Sequence, residues 1–270
     1  MKINKRDTIE YLTFDSFDRC NYLKHLFTTR KGGVSSGIYE SMNLSYSRGD
    51  DKECVDENFK RIADLFETSP EYIVCGAQTH TSNIKIVTKL DAGAGVTRKT
   101  PYQDIDGLIT NEKDIVLCTS HADCTPVFFT DPVHKIIGLA HSGWRGTAER
   151  IGEKMVQFMC REYGSDPKDI LCGIGPCICG DCYEVSWDVA RFFTEYSNPS
   201  VLKKSKVPEK YQLDLKLANQ EILLNAGILK EHIEITDFCT ACHSEYLFSH
   251  RASGGKRGNC CAFIKLNESS

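Results

Sequence analysis

The sequence predicts an α+β fold, a single domain of layered mixed β-sheets flanked by helices. Two observations carry that expectation. Strand-like runs follow one another from Tyr72 to Ala140 with no helix between them, which favours a mixed or antiparallel layout over a doubly wound parallel sheet. No linker, repeat or low-complexity tract divides the 270 residues, so the chain reads as one domain over 1–270.

In chain order, the expected strands are Leu23–Thr29, Tyr72–Ala77, Asn83–Val87, Asp106–Thr110, Ile115–Thr119, Pro126–Thr130, Lys135–Ala140, Asp169–Ile174, His232–Thr236 and Cys261–Leu266. Most are short and rich in Val, Ile and Phe. Helical spacing marks Asp51–Glu67, where Val55, Phe59, Ile62 and Leu65 share a face and Asp50 or Asp51 can cap the start. It recurs in Thr147–Tyr163 through Ile151, Met155 and Phe158, and in Lys216–Ala226, where Gly227 supplies the stop. A weaker helix covers Trp187–Tyr196. The polar stretch Ser197–Lys210 reads as an exposed loop.

Composition narrows the function classes. With 41% hydrophobic and 26% charged residues, the chain can bury a core, which excludes disordered and fibrous classes. A net charge of −4 and a pI near 6.1 leave no global basic field for nucleic acid or anionic membrane. A small-molecule ligand is the expected partner. The charged N-terminus and the mixed run Thr8–Phe14 lack the apolar core of a signal peptide, and no apolar run approaches the ~18 residues of a membrane span. The expectation is a cytoplasmic protein whose fourteen cysteines are mostly reduced.

Three loops at strand ends hold the residues suited to chemistry. They are Gln78-Thr-His80, Ser120-His121-Ala-Asp123-Cys124-Thr-Pro126, and Ala140-His141-Ser-Gly143-Trp144-Arg145-Gly146. His80, Cys124 and His141 are a ligand set for a borderline cation such as Zn²⁺, and three protein ligands leave a fourth position for water or substrate. Each residue alone is better explained by packing. The turn Gly143–Gly146 before a helix raises the odds, because helix-start N–H groups and Arg145 can hold an anion such as phosphate.

Two C-x-x-C pairs, Cys179/Cys182 and Cys239/Cys242, stand much further apart than the roughly 15–20 residues of a zinc ribbon. Simple burial ranks above structural zinc there. The basic turns Thr29-Arg30-Lys31-Gly32-Gly33 and Ser249-His250-Arg251 with Gly254, Gly255 and Gly258 read as weak pocket signals or solvated turns.

The combination resembles the bacterial YfiH family, also called the laccase-domain or polyphenol-oxidase family. The resemblance rests on Thr29-Arg30-Lys-Gly-Gly-Val-Ser35, Ser41-Met-Asn43-Leu44, Gln78-Thr-His80, Asp104-Ile-Asp106-Gly, Ala122-Asp123-Cys124-Thr-Pro126, His141-Ser-Gly-Trp-Arg-Gly146, Cys182-Tyr-Glu184-Val185 and Phe248-Ser-His-Arg251, in the family's order over nearly the whole chain. It implies a YfiH-like fold related to the Cys–His toxin deamidases, with His80, Cys124 and His141 as metal ligands. It also implies a purine nucleoside phosphorylase that cleaves adenosine, inosine and methylthioadenosine with phosphate, with adenosine deamination in some members. The expected catalytic set is Cys124, His80, His141 and Asp123. The expected substrate and phosphate contacts are Arg145, Arg30, Asn43, Gln78 and Arg251. The expected metal is Zn, with Cu as the alternative, and the expected assembly is a monomer or homodimer.

Two departures stand out: Ser142 where the family commonly has Ala, and His250-Arg251-Ala252 where it often has Tyr-Arg-Arg. The alternative readings are a copper-dependent polyphenol oxidase and a Cys–His hydrolase or deamidase. Against the oxidase, laccases feed a trinuclear copper cluster with paired H-x-H motifs, and the eight histidines here form none.

Overall fold

The computed structural model describes residues 1–267. In chain order the elements begin with β1 (Lys2–Arg6), β2 (Ile9–Thr13), α1 (Asp15–Asp18), β3 (Leu23–Thr28), α2 (Lys52–Leu65), β4 (Ile73–Cys75) and β5 (Ile84–Ile86). Next come β6 (Gly107–Thr110), β7 (Val116–His121), β8 (Thr125–Asp131), β9 (Ile136–Ser142), α3 (Trp144–Ala148), α4 (Ile151–Tyr163) and β10 (Leu171–Ile174). The chain continues through β11 (Glu184–Ser186), α5 (Trp187–Ala190), β12 (Leu202–Lys204), β13 (Lys210–Leu213), α6 (Leu215–Asn225), β14 (Ile233–Ile235) and β15 (Cys260–Leu266).

Two mixed six-stranded sheets dominate, in the orders β1-β2-β3-β15-β7-β4 and β14-β10-β8-β9-β6-β5. Strand alternation builds their layers. Leu117 of β7, Leu108 of β6, Phe128 of β8 and Ile264 of β15 meet in one core between the sheets. Their chain neighbours point the other way. Val116 and Cys118 pack under Val55, Phe59 and Ile62 of α2, while Ile109, Val127 and Phe129 pack under Met155 and Met159 of α4 and Leu223 of α6. The result is helix, sheet, sheet, helix. A third, three-stranded sheet, β11-β13-β12, sits beside α5.

The ten expected strands all form, and the expected Asp51 cap acts. Asp51 accepts from the Glu53 amide at the start of α2, and Asp214 accepts from Lys216 and Leu217 at the start of α6. Two expectations change, and one hairpin was not anticipated. The helix over Thr147–Tyr163 is broken at Arg150, whose backbone is left-handed (φ 59°), so a short α3 precedes α4. Apolar spacing carries no information about such a residue. The supposed loop Ser197–Lys210 contains β12 and the start of β13, polar strands whose pairing satisfies the backbone. The hairpin β1–β2 is likewise too charged to show an alternating pattern.

One core residue gives the fold a pH dependence. His25 is 3% exposed, sits among Phe14, Phe17 and Phe128, and accepts the Phe14 amide at Nε2 (2.8 Å). Burial pushes its pKa down to about 4. The unfolded chain takes up that proton near pH 6.5, so stability from this group is complete above that value and drains as pH falls toward 4. The loss approaches about 3 kcal/mol. His25→Gln keeps an acceptor without the titration, and its urea midpoint should therefore fall less than the wild type's between pH 7.5 and 4.5. Parallel losses would assign the effect elsewhere.

Candidate metal centre and its cavity

The connection from β7 to β8 carries the chain from one large sheet to the other, and Cys124 lies in it. His141 lies on β9, directly across the ladder from Pro126 of β8. His80 lies in the loop between β4 and β5. The ligand atoms of these three residues all fall within 4.8 Å of one another. Cys124 Sγ is 3.8 Å from His80 Nε2, and the two imidazole rings meet edge to face at 4.9 Å.

Asp106, fully buried just before β6, organises this cluster. Its Oδ1 receives His141 Nδ1 (2.7 Å) and the His80 amide (3.1 Å). Its Oδ2 receives the amides of Thr79 and Thr81 and the Thr81 hydroxyl. Burial works against its charge, but the hydrogen bond and charge of His141 with those donors hold its pKa below the ordinary value. The carboxylate thereby fixes the His141 Nδ1–H tautomer and leaves Nε2 for a ligand. It also holds His80 in a left-handed backbone (φ 67°).

Asp123, also left-handed (φ 86°), is the anchor of the Cys124 loop. It accepts from the Thr240 hydroxyl (2.6 Å), the Ser249 hydroxyl (2.7 Å) and the Arg251 amide (2.7 Å).

Electrostatics couple the cysteine to the histidine. Burial alone would raise the Cys124 thiol, but the His141 charge and hydrogen bonds to both histidines bring it down to about 6. Burial would lower His141, but the Cys124 thiolate and Asp106 lift it to about 9. Without a metal, the pair at neutral pH is thiolate and imidazolium. The donor set suits a borderline cation. A Cβ on Gly143 would stand 3.0 Å from Cys124 Sγ and 3.0 Å from His80 Cδ2, so the chain keeps a glycine where the ligands converge. These residues fit a bound metal.

A cavity of 530 Å³ opens on the centre. Tyr46, Phe59 and Tyr102 contribute aromatic surface to its lining, and Arg48 and Arg257 contribute positive charge. The expected contacts fall unevenly. Gln78 lines the cavity, with its amide bonded both ways to the Ser120 backbone. Asn43 lies beneath the wall and pins Ser45, Asp50 and Asn259. Arg30 donates to the carbonyls of Glu40 and Ser244, Arg251 to those of Cys182 and Glu184, and Arg145 stacks on Trp144. None of these three arginines lines the cavity. His121, buried and bonded at both ring nitrogens, is held below its ordinary pKa by burial and the His141 charge.

The arginine that sequence reasoning missed is Arg257, 7% exposed, beside Gly258 in the loop before β15. Its guanidinium donates to the Gly258 carbonyl, to Asn259 Oδ1 and toward His250 Nδ1, while its buried Nε–H has no partner. No carboxylate stands within ion-pair distance of it among the described residues. The only signal in the sequence was its place in a Gly-rich basic loop.

The family model described as multi-copper polyphenol oxidoreductase laccase matches residues 24–267. The chain belongs to this laccase-domain family. A laccase-domain relative, the Bacillus subtilis (strain 168) protein named purine nucleoside phosphorylase YlmD, is 38% identical over 246 residues, covering 90% of this chain and 88% of that protein. The crystal structure of YlmD from Geobacillus stearothermophilus superposes with a TM-score of 0.90 at 34% identity, covering 98% of this chain and 99% of that one. That of the Bacillus licheniformis hypothetical protein YfiH gives 0.91 at 33% identity, with the same coverage. The YfiH-like α+β architecture expected from sequence is the one observed. No helix among the described residues is long and apolar enough to cross a membrane.

Proposed function

We propose that the protein is a purine nucleoside phosphorylase that cleaves adenosine, inosine or methylthioadenosine with phosphate, with adenosine deamination as a second activity of the same cavity. The observation that carries this reading is the joint opening of a His/Cys/His centre and a buried guanidinium with no carboxylate partner onto one cavity with aromatic lining. Its volume lies within the ~300–1,000 Å³ usual for small-ligand pockets. The names of the relatives point the same way.

Phosphorolysis joins a phosphate oxygen to the sugar C1′ while the bond from C1′ to the purine breaks, and the departing base takes a proton. Aromatic surface from Tyr46 and Tyr102 suits a flat base. Arg257, with Arg48 at the mouth, binds and orients the dianion. Asp106 keeps His141 in one tautomer and one orientation. A metal held by His80, Cys124 and His141 supplies Lewis acidity and an activated water when bound; zinc is the first choice and copper the second.

The test is chromatographic. Metal-loaded protein given inosine, adenosine or methylthioadenosine should release hypoxanthine or adenine only when phosphate is present, and phosphate-independent inosine from adenosine would report the deamination. No release of base from any of the three would end the proposal.

A second reading is favoured by one observation. Cys124, His141 and Asp106 form a thiolate, imidazolium and carboxylate series of the kind Cys–His hydrolases use. A chelator separates the two, because it abolishes activity under the first reading and spares it under the second.

A further inference from the structure

The four cysteines left aside as buried hydrophobes do not behave as such. Cys179 and Cys182 follow β10, Cys239 and Cys242 follow β14, and the Sγ atoms of all four lie within 4.8 Å of one another. The two segments run side by side through a parallel bridge between Cys177 and Cys239. Cys182 Sγ and Cys242 Sγ are 3.4 Å apart. A single Zn²⁺ with bonds of about 2.3 Å sets tetrahedral sulfur edges near 3.8 Å, which this spacing brackets. Cys242 is exposed and Cys179 and Cys182 are half-buried, which is the wrong placement for thiols serving only as apolar filling.

A second feature is independent of sulfur spacing. Cys239 Sγ accepts backbone N–H groups from Cys242 (3.4 Å) and from Cys179 (3.2 Å). Amides aimed at sulfur from within the C-x-x-C turn and from its neighbour stabilise thiolate rather than thiol, as a metal-binding knuckle requires. The Cys179 turn closes in the same compact way, with the Cys182 and Tyr183 amides both donating to the Cys179 carbonyl.

We propose that Cys179, Cys182, Cys239 and Cys242 form a second metal site, a closed tetrathiolate that takes one zinc-class divalent cation. Four protein ligands leave no open position, so the ion is structural. Its place in the fold says what it holds. The Ile178 amide donates to the Asp123 carbonyl, and the Thr240 hydroxyl donates to the Asp123 carboxylate. The two segments joined by the knuckle are therefore those that grip the residue before Cys124. Arg251, whose amide also binds Asp123, reaches the Cys182 carbonyl. The site braces the loop of the reaction centre without touching its cavity.

The experiment counts ions per chain by mass spectrometry on protein purified and reconstituted with Zn²⁺ under reducing conditions. Wild type should hold two. The double variant His80→Ala/Cys124→Ala should hold one, and its Co²⁺ form should show thiolate-to-metal charge transfer of four-thiolate intensity. Cys182→Ser/Cys242→Ser should also hold one ion, at the first centre, with a lowered thermal midpoint. The His80→Ala/Cys124→Ala variant leaves the tetrathiolate residues untouched, so the test stands even if the cysteine variants fail to fold. An ion-free His80→Ala/Cys124→Ala protein, a cobalt spectrum without four-thiolate intensity, or a Cys182–Cys242 disulfide in protein kept anaerobic would overturn the proposal.

Discussion

Cys124→Ala is expected to reduce phosphorolysis to background while leaving the thermal midpoint of the metal-free protein nearly unchanged. The thiolate supplies one of three donors and half of the ion pair with His141, and Cys124 belongs to none of the hydrophobic clusters that form the core. Asp106→Asn should behave differently. Both Asp106 oxygens are spent on donors, so a carboxamide must turn its NH₂ toward at least two N–H groups whichever way it is placed. Losing hydrogen bonds at a buried site costs about 1–3 kcal/mol. Losing the partner that orients a metal-binding histidine costs about 10- to 100-fold in metal affinity.

The two variants therefore separate chemistry from support. Activity, bound metal and melting temperature measured together should show Cys124→Ala changing the first two and Asp106→Asn changing all three. Full activity in Cys124→Ala would remove the centre from the mechanism.

Asp106 also shows where sequence reading stops. His80, Cys124 and His141 were legible because each stands at the end of a strand-like run and together they make a metal-ligand set. Their convergence was expected from the loops that hold them and from the family resemblance, and the fold supplies its geometry, with β7 and β8 lying in different sheets while β8 and β9 pair. A buried aspartate beside Gly107 looks like any turn residue until five donors are seen around it. Alternation and helical spacing fixed most elements, since burying one face leaves a period in the sequence. The polar strands β1, β12 and β13 bury little and leave none. The arginines illustrate the same limit. Arg30, Arg145 and Arg251 stand in striking motifs, but the fold spends them on carbonyls and an aromatic face. Arg257 stands in an unremarkable loop and reaches the cavity.

Arg257→Met is expected to raise the KM for phosphate by about 10- to 100-fold, the worth of charge-assisted hydrogen bonds to a dianion, with a smaller rise for the exposed Arg48→Gln. The KM for inosine should move little. Stability should move in the opposite sense to function. A buried guanidinium without a carboxylate, whose Nε–H has no partner, is unfavourable in the ligand-free fold; burial and the Arg48 charge bring its pKa down to about 10, which still leaves it charged at neutral pH. Methionine fills comparable volume without that charge, so the ligand-free variant should melt at the wild-type temperature or above it. Phosphate should raise the melting temperature of wild type by mass action and that of the variant far less. A purely structural arginine predicts the reverse, a lower midpoint with an unchanged KM.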